Sequence, residues 1–110
     1  MYAAIRQYEM GAGSVRDLMP LIDSELAEVM IGLPGFVAYH VIASGDDEIV
    51  AVTLFREEQD AIRSNEAASD FVSKRLQPFQ LNLTSAMSGE VGVSRTAAGA
   101  FRAADFGHLC

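Results

Sequence analysis

In the octapeptide EIVAVTLF, Glu48–Phe55, side chains alternate across a pleat, so Ile49, Ala51, Thr53 and Phe55 point one way and Val50, Val52 and Leu54 the other. Both sets are apolar. An antiparallel strand with one wet face shows a single apolar set, so this strand needs cover on both sides. The run before it, Phe36–Ser44, is also β-prone, and Gly45-Asp46-Asp47 between the two has the composition of a tight turn. Leu33–Phe55 therefore reads as a β-hairpin that delivers a two-faced strand. The three successive carboxylates Asp46-Asp47-Glu48 read as a solvated turn and not as a cation site, because turns favour Asp and no spaced ligand set follows.

The segments flanking the hairpin complete a pattern. Tyr2–Tyr8 is a short β-prone run that stops at Gly11-Ala12-Gly13. Ser14 is a good N-cap with Asp17 three positions on, and Val15, Leu18, Met19, Ile22, Leu26, Val29, Met30 and Leu33 recur at helical spacing. Pro20 inside that pattern predicts a bend or a later start, and Pro34-Gly35 ends the helix. After Phe55, Ala61, Ile62, Asn65, Ala68, Phe71, Val72, Leu76 and Phe79 give a second helical face, predicted to be interrupted near Ser64-Asn65. Glu57, Glu58 and Asp60 suit its first turn, where the helix dipole favours negative charge. From Leu81 to Val93 residues alternate, which predicts a last strand with an irregular beginning. The order β-α-β-β-α-β predicts an α+β, ferredoxin-like domain over residues 1–95, with an antiparallel four-stranded sheet and strands one and three at its centre. Residues 96–110, Ala-rich and without a clean period, read as a C-terminal tail that is flexible or packs on a partner subunit.

Composition narrows the function classes. A chain of 110 residues, 50% hydrophobic and 21% charged, is one globular domain by size and balance. No apolar run approaches the roughly 20 residues of a bilayer crossing, and MYAAIRQYEM begins directly as a strand, so the expectation is a cytoplasmic protein without a membrane partner. The net charge of -7, with eight Lys and Arg scattered from Arg6 to Arg102, repels phosphate backbones and argues against nucleic acid. The single cysteine, Cys110, has no partner in the chain, and His108 beside it supplies too few ligands for zinc, so no metal site is expected. Gly11-Ala12-Gly13 lacks the rest of a nucleotide fingerprint and reads as a turn.

Two helices of this topology cover one sheet face only, which leaves the second apolar face of strand three to a second subunit. The expected partner is another copy of the chain, joined through sheet faces. The Arg6-x-Tyr8 strand, the amphipathic helix, Pro34-Gly35-Phe36 leading into Tyr39, and the acidic-turn hairpin ending in Phe55 before an acidic helix start carry a family likeness. Over about residues 2–94 the chain resembles the antibiotic biosynthesis monooxygenase-like group of the dimeric α/β barrel superfamily. The resemblance implies a barrel built by pairing two sheets between subunits, and a pocket between the sheet and the helices of each. Some relatives oxidise polyketide-like phenols there without metal or flavin, others degrade haem, and many have no known activity. The haem degraders place an Asn on the first strand and a Trp and a His on later helices. Here the first-strand position falls near Arg6, the chain has no Trp, and no His lies between Arg56 and Phe79, which points away from haem and towards no cofactor.

The candidate catalytic residues are His40, Tyr8 and Arg6, and the candidate ligand-binding set is Arg6, Tyr8, Phe36, Tyr39, His40 and Asn65. Arg6 and Tyr8 share a face of strand one, so a guanidinium and a phenol meet an anionic or phenolic ligand if that face looks to the helices. The competing reading pairs Arg6 with an acidic neighbour across the sheet. His40 shares its strand face, by strict alternation, with Phe36, Ala38 and Ile42, and reads either as a base or as a structural or interface residue. Two function classes follow: a small cofactor-independent oxygenase acting on an aromatic or phenolic substrate, and a non-catalytic ligand-binding or stress-associated dimer.

Overall fold

The computed structural model describes residues 1–97; the expectations for the rest of the tail, including His108 and Cys110, lie outside the described residues. β1 (Tyr2–Met10), β2 (Phe36–Ala43), β3 (Glu48–Phe55) and β4 (Leu81–Glu90) form one sheet in the order β2-β3-β1-β4, antiparallel throughout. Strands one and three are central, and the helical segments between β1 and β2 and between β3 and β4 complete the expected ferredoxin-like α+β fold. No helix of the described residues is long and apolar enough to cross a membrane.

The first helical arm begins at α1 (Val15–Leu21), where Ser14 Oγ accepts from the Asp17 N–H at 3.2 Å as its cap pattern predicts. Pro20 lies inside α1 and neither breaks the arm nor delays its start. Instead a π turn (Ile22–Leu26) follows and continues directly into α2 (Ala27–Ile31). The buried residues Leu18, Ile22, Leu26 and Met30 explain the turn. A four-residue repeat drifts steadily around an α-helix, and the extra residue of a π turn rotates the following stretch back by about 100°. The stripe thereby stays on the sheet, where it joins Tyr8, Met10, Ile49 and Leu76 in one core.

The second helix corrects an expectation. α3 (Glu58–Arg75) runs without interruption, because the buried Ser64 turns its hydroxyl onto the Ala61 carbonyl at 2.6 Å instead of breaking the helix. Glu58 and Asp60 open it and Lys74 and Arg75 close it, each end complementing the helix dipole. A 3-10 turn at Gln77–Phe79 then leads to Gln80, which adopts a left-handed backbone with φ 48°.

Two register shifts decide which side chains face the helices. In β2, Phe36 pairs with Phe55 and Ala38 with Leu54, so one extra residue sits between them. In β4, Leu83 lies opposite Tyr8 but Ser85 lies opposite Gln7, which places the expected irregularity at Thr84; its hydroxyl donates to the Gln7 carbonyl at 3.2 Å. Leu81 and Leu83 therefore lie with Met10 and Tyr8 on the helix-covered face, while Met87 lies with Ile5 on the other. On β3 the covered face carries Ile49, Thr53 and Phe55, all buried, and the open face carries Val50, Val52 and Leu54. Ile42 and Met87 on the open face are 50% and 63% exposed, so among the described residues it stays largely uncovered.

Candidate functional site

Arg6 and Tyr8 emerge from the middle of β1 on the helix-covered face, two residues apart and therefore side by side. Arg6 Nε donates to Tyr8 Oη at 2.7 Å, and the guanidinium carbon stands 5.5 Å from the centre of the Tyr8 ring. Arg6 Nη1 donates to the Asn65 backbone carbonyl in α3 at 3.3 Å, tying the sheet to the helix. Two of the five guanidinium N–H bonds are thus engaged, and the other three have no partner among the described residues. No carboxylate pairs with Arg6 among the described residues, which removes the expected alternative of an acidic partner across the sheet.

Around this pair, small α3 side chains keep the helix close to the sheet while leaving space beneath it. Ser64, Asn65, Ala68 and Val72 from α3, Ile22, Leu26 and Met30 from the first arm, and Tyr39, Val41, Ala51 and Thr53 from the sheet enclose a narrow cavity of about 20 Å³ against Arg6 and Tyr8. That space holds a single water. On the far side of the same pair, between α3 and the start of β4, opens a cleft of about 360 Å³, lined by Ser69, Val72, Ser73, Leu76 and Gln77 from the end of α3 and the turn after it, and by Gln80, Leu81 and Leu83 at the entry to and start of β4. Its volume falls within the range of small-molecule sites, roughly 300–1,000 Å³.

Polar groups in the interior are under-satisfied. Asn65 Oδ1 is buried and accepts no hydrogen bond from the described residues. Such an orphan is costly without a donor, and rotating the amide would offer a donor instead, so Asn65 can serve a ligand of either polarity. Burial holds the Tyr39 phenol well above its ordinary pKa of 10.0; the neighbouring Tyr8 adds to the rise and the Arg6 guanidinium opposes it in part. Tyr39 therefore stays protonated, a hydrogen-bond donor and not a base, throughout the neutral range.

The structure brings Arg6, Tyr8, Tyr39 and Asn65 together and separates two other candidates from them. His40 pairs with Val52 on the open face of the sheet and is exposed, so the sheet itself stands between its imidazole and the cavity. It is not a residue of this interior site. Phe36 does face the helices, because the extra residue in β2 flips it away from the His40 face on which strict alternation sets it. There it packs edge-on against Phe55, 5.9 Å between ring centres, as core and not as lining of the cavity. The sequence reading missed Ser69, Ser73, Gln77 and Gln80. Their i, i+4 spacing from Ser69 to Ser73 to Gln77 is a legible signal for one shared helix-side wall.

The ferredoxin-like fold is shared by several solved proteins. No protein-family model matches the chain, and no curated protein sequence matches it. Among solved structures, the monooxygenase from the ActVA-Orf6 gene of Streptomyces coelicolor, in complex with nanaomycin D, matches with a TM-score of 0.61 at 17% identity, over 87% of this chain and 91% of that one. SnoaB, a cofactor-independent oxygenase from Streptomyces nogalater, matches with a TM-score of 0.58 at 13% identity, over 86% and 94%. A dimeric ferredoxin-like protein from an uncultured marine organism matches with a TM-score of 0.66 at 9% identity, over 87% and 98%. The likeness read from the sequence is thus met at the level of fold.

Proposed function

We propose that this chain forms a homodimer through the open faces of its sheets and binds a small, largely apolar aromatic or phenolic molecule between sheet and helices. The observation that carries the ligand reading is Arg6, a half-buried guanidinium with three free donors and no acidic partner among the described residues, set in an otherwise apolar interior. The Tyr8 ring meets the guanidinium on one side, and the donors left on its other sides are the ones an anionic or phenolic ligand would engage. Support for the dimer comes from Val50, Val52, Leu54, Ile42 and Met87 on one uncovered face, and from the dimeric ferredoxin-like protein whose fold the chain shares. Obligate interfaces of this kind bury on the order of 2,000 Å² or more.

The reaction this site suits is a cofactor-independent oxygenation. Arg6 lowers the pKa of a phenol bound against it, and the resulting phenolate is electron-rich enough to react with dioxygen. The balance is one dioxygen per substrate: a ring CH₂ conjugated with the phenolate becomes C=O, and the second oxygen leaves with both hydrogens as water. The two fold relatives described as oxygenases favour this reading. One observation favours the alternative of a non-catalytic binding dimer: neither the cavity nor the cleft carries a His or a carboxylate among the described residues, so the protein offers no base of its own. Oxygen uptake over a panel of polycyclic phenols and hydroquinones separates the two. Turnover lost in Arg6→Gln with the thermal melt unchanged supports the oxygenase; binding without uptake from any member of the panel supports the binding module.

A further inference from the structure

We infer that the ligand is held as an organic oxyanion, and that it sits in the outer cleft on the α3–β4 side of Arg6 instead of in the inner cavity. The inference rests on the small-molecule reading above and specifies its charge and place. Size decides the place: the inner cavity of about 20 Å³ admits a water and no ring, whereas the cleft of about 360 Å³ admits a bicyclic aromatic. Charge decides the chemistry. The chain carries fifteen Asp and Glu, yet among the described residues not one lines the cleft, and Arg6 is the one charged side chain that does. In a protein of net charge -7 this is a local reversal of sign at the floor of a concave space.

The donors converge. Tyr8 Oη accepts from Arg6 Nε, which leaves the phenolic hydrogen free to donate outward beside the remaining guanidinium N–H bonds. A planar oxyanion, either a carboxylate or an ionised phenol, matches that set. Its apolar body would lie along Val72, Leu76, Leu81 and Leu83, which line the same cleft with Gln77 and Gln80. Gln80 is held there at a cost: it is the described non-glycine residue with positive φ, and the Gly11 N–H donates to its carbonyl at 3.0 Å.

The test uses 2-naphthoate against its uncharged isostere 2-naphthamide, titrated by calorimetry into the full chain. Naphthoate is expected to bind about tenfold or more tightly, the range of a charge-assisted hydrogen bond. Arg6→Gln should erase the difference, Arg6→Lys should retain part of it, and Ser73→Trp, which fills the cleft from an exposed helix position, should weaken naphthoate about tenfold. A thermal melt of each variant establishes that it is folded. 4-Nitrophenol tells the two oxyanions apart: affinity that rises with pH through its own ionisation admits phenolates, and a flat profile beside naphthoate binding restricts the site to carboxylates. Equal binding of naphthoate and naphthamide overturns the inference while leaving a neutral-ligand site intact. Naphthoate binding unmoved by Ser73→Trp overturns the placement. Preference for naphthoate with no oxygen uptake from any phenol upholds the oxyanion site and removes only the oxygenase reading.

Discussion

Arg6 Nε and Tyr8 Oη lie 2.7 Å apart on one face of the central strand β1, and this hydrogen bond is the floor shared by the inner cavity and the outer cleft. Its geometry follows from the pleat, which sets i and i+2 side by side. Because Arg6 has no acidic partner among the described residues, Tyr8 and the Asn65 backbone carbonyl are what fix the guanidinium in place.

Tyr8→Phe should therefore cost about 1–2 kcal/mol in urea unfolding, since it strands a donor on a half-buried cation while keeping the ring. A double-mutant cycle with Arg6→Met measures the pair directly. A coupling indistinguishable from zero would mean that Tyr8 contributes only as core.

Tyr39 predicts a pH dependence whose sign is fixed by burial. Its phenol titrates above 10.0 in the folded chain and near 10.0 when unfolded, so the folded state holds the proton more tightly. The stability that this contributes is fully present below pH 10.0 and declines as pH rises beyond it towards the folded value. Tyr39→Phe should flatten that alkaline decline, read from urea midpoints across the alkaline range; an unchanged slope would assign it to other tyrosines.

Gly35 links α2 to β2 with φ 75°, and a Cβ there would lie 2.0 Å from Asp60 Oδ2. Gly35→Ala should destabilise the domain by about 1–2 kcal/mol for the left-handed backbone alone, with a further loss as Asp60 is displaced. Adding Asp60→Ala should recover the second part and not the first. Full recovery in the double variant would show that the backbone carries no strain.

The two faces of the sheet predict opposite phenotypes. Val52→Asp places a charge in the middle of the open apolar face and should convert a species of twice the chain mass into monomer or unfolded chain, read by sedimentation at low micromolar concentration. His40→Ala, on the same face, should alter self-association and leave the naphthoate affinity within about twofold. Loss of ligand binding in His40→Ala with the dimer intact would return His40 to the site.

The sequence by itself determined the order of elements, the N-cap at Ser14, the hairpin, the central position of strands one and three, and the two-faced nature of Glu48–Phe55. These depend on local rules: cap chemistry, turn residues and the 3.6 and 2.0 periods, each readable within a dozen residues. It also placed Arg6 and Tyr8 on one face, because i and i+2 need no register. Only the tertiary structure decided which face that was, and it separated His40 from Phe36. The cause is one extra residue in β2, which leaves no mark on composition yet reverses every side chain beyond it. The same holds for Thr84 in β4, which turns Leu83 towards the cleft and Met87 away from it. The uninterrupted α3 and the π turn after Pro20 were decided by packing, since a buried Ser64 and a four-residue apolar stripe settle against the sheet only in those forms. The cleft beside Arg6 is the most tertiary feature of all: α3, β1, β4 and the turn at Gln80 each supply part of its wall, and no periodicity within one element records the space that they leave between them.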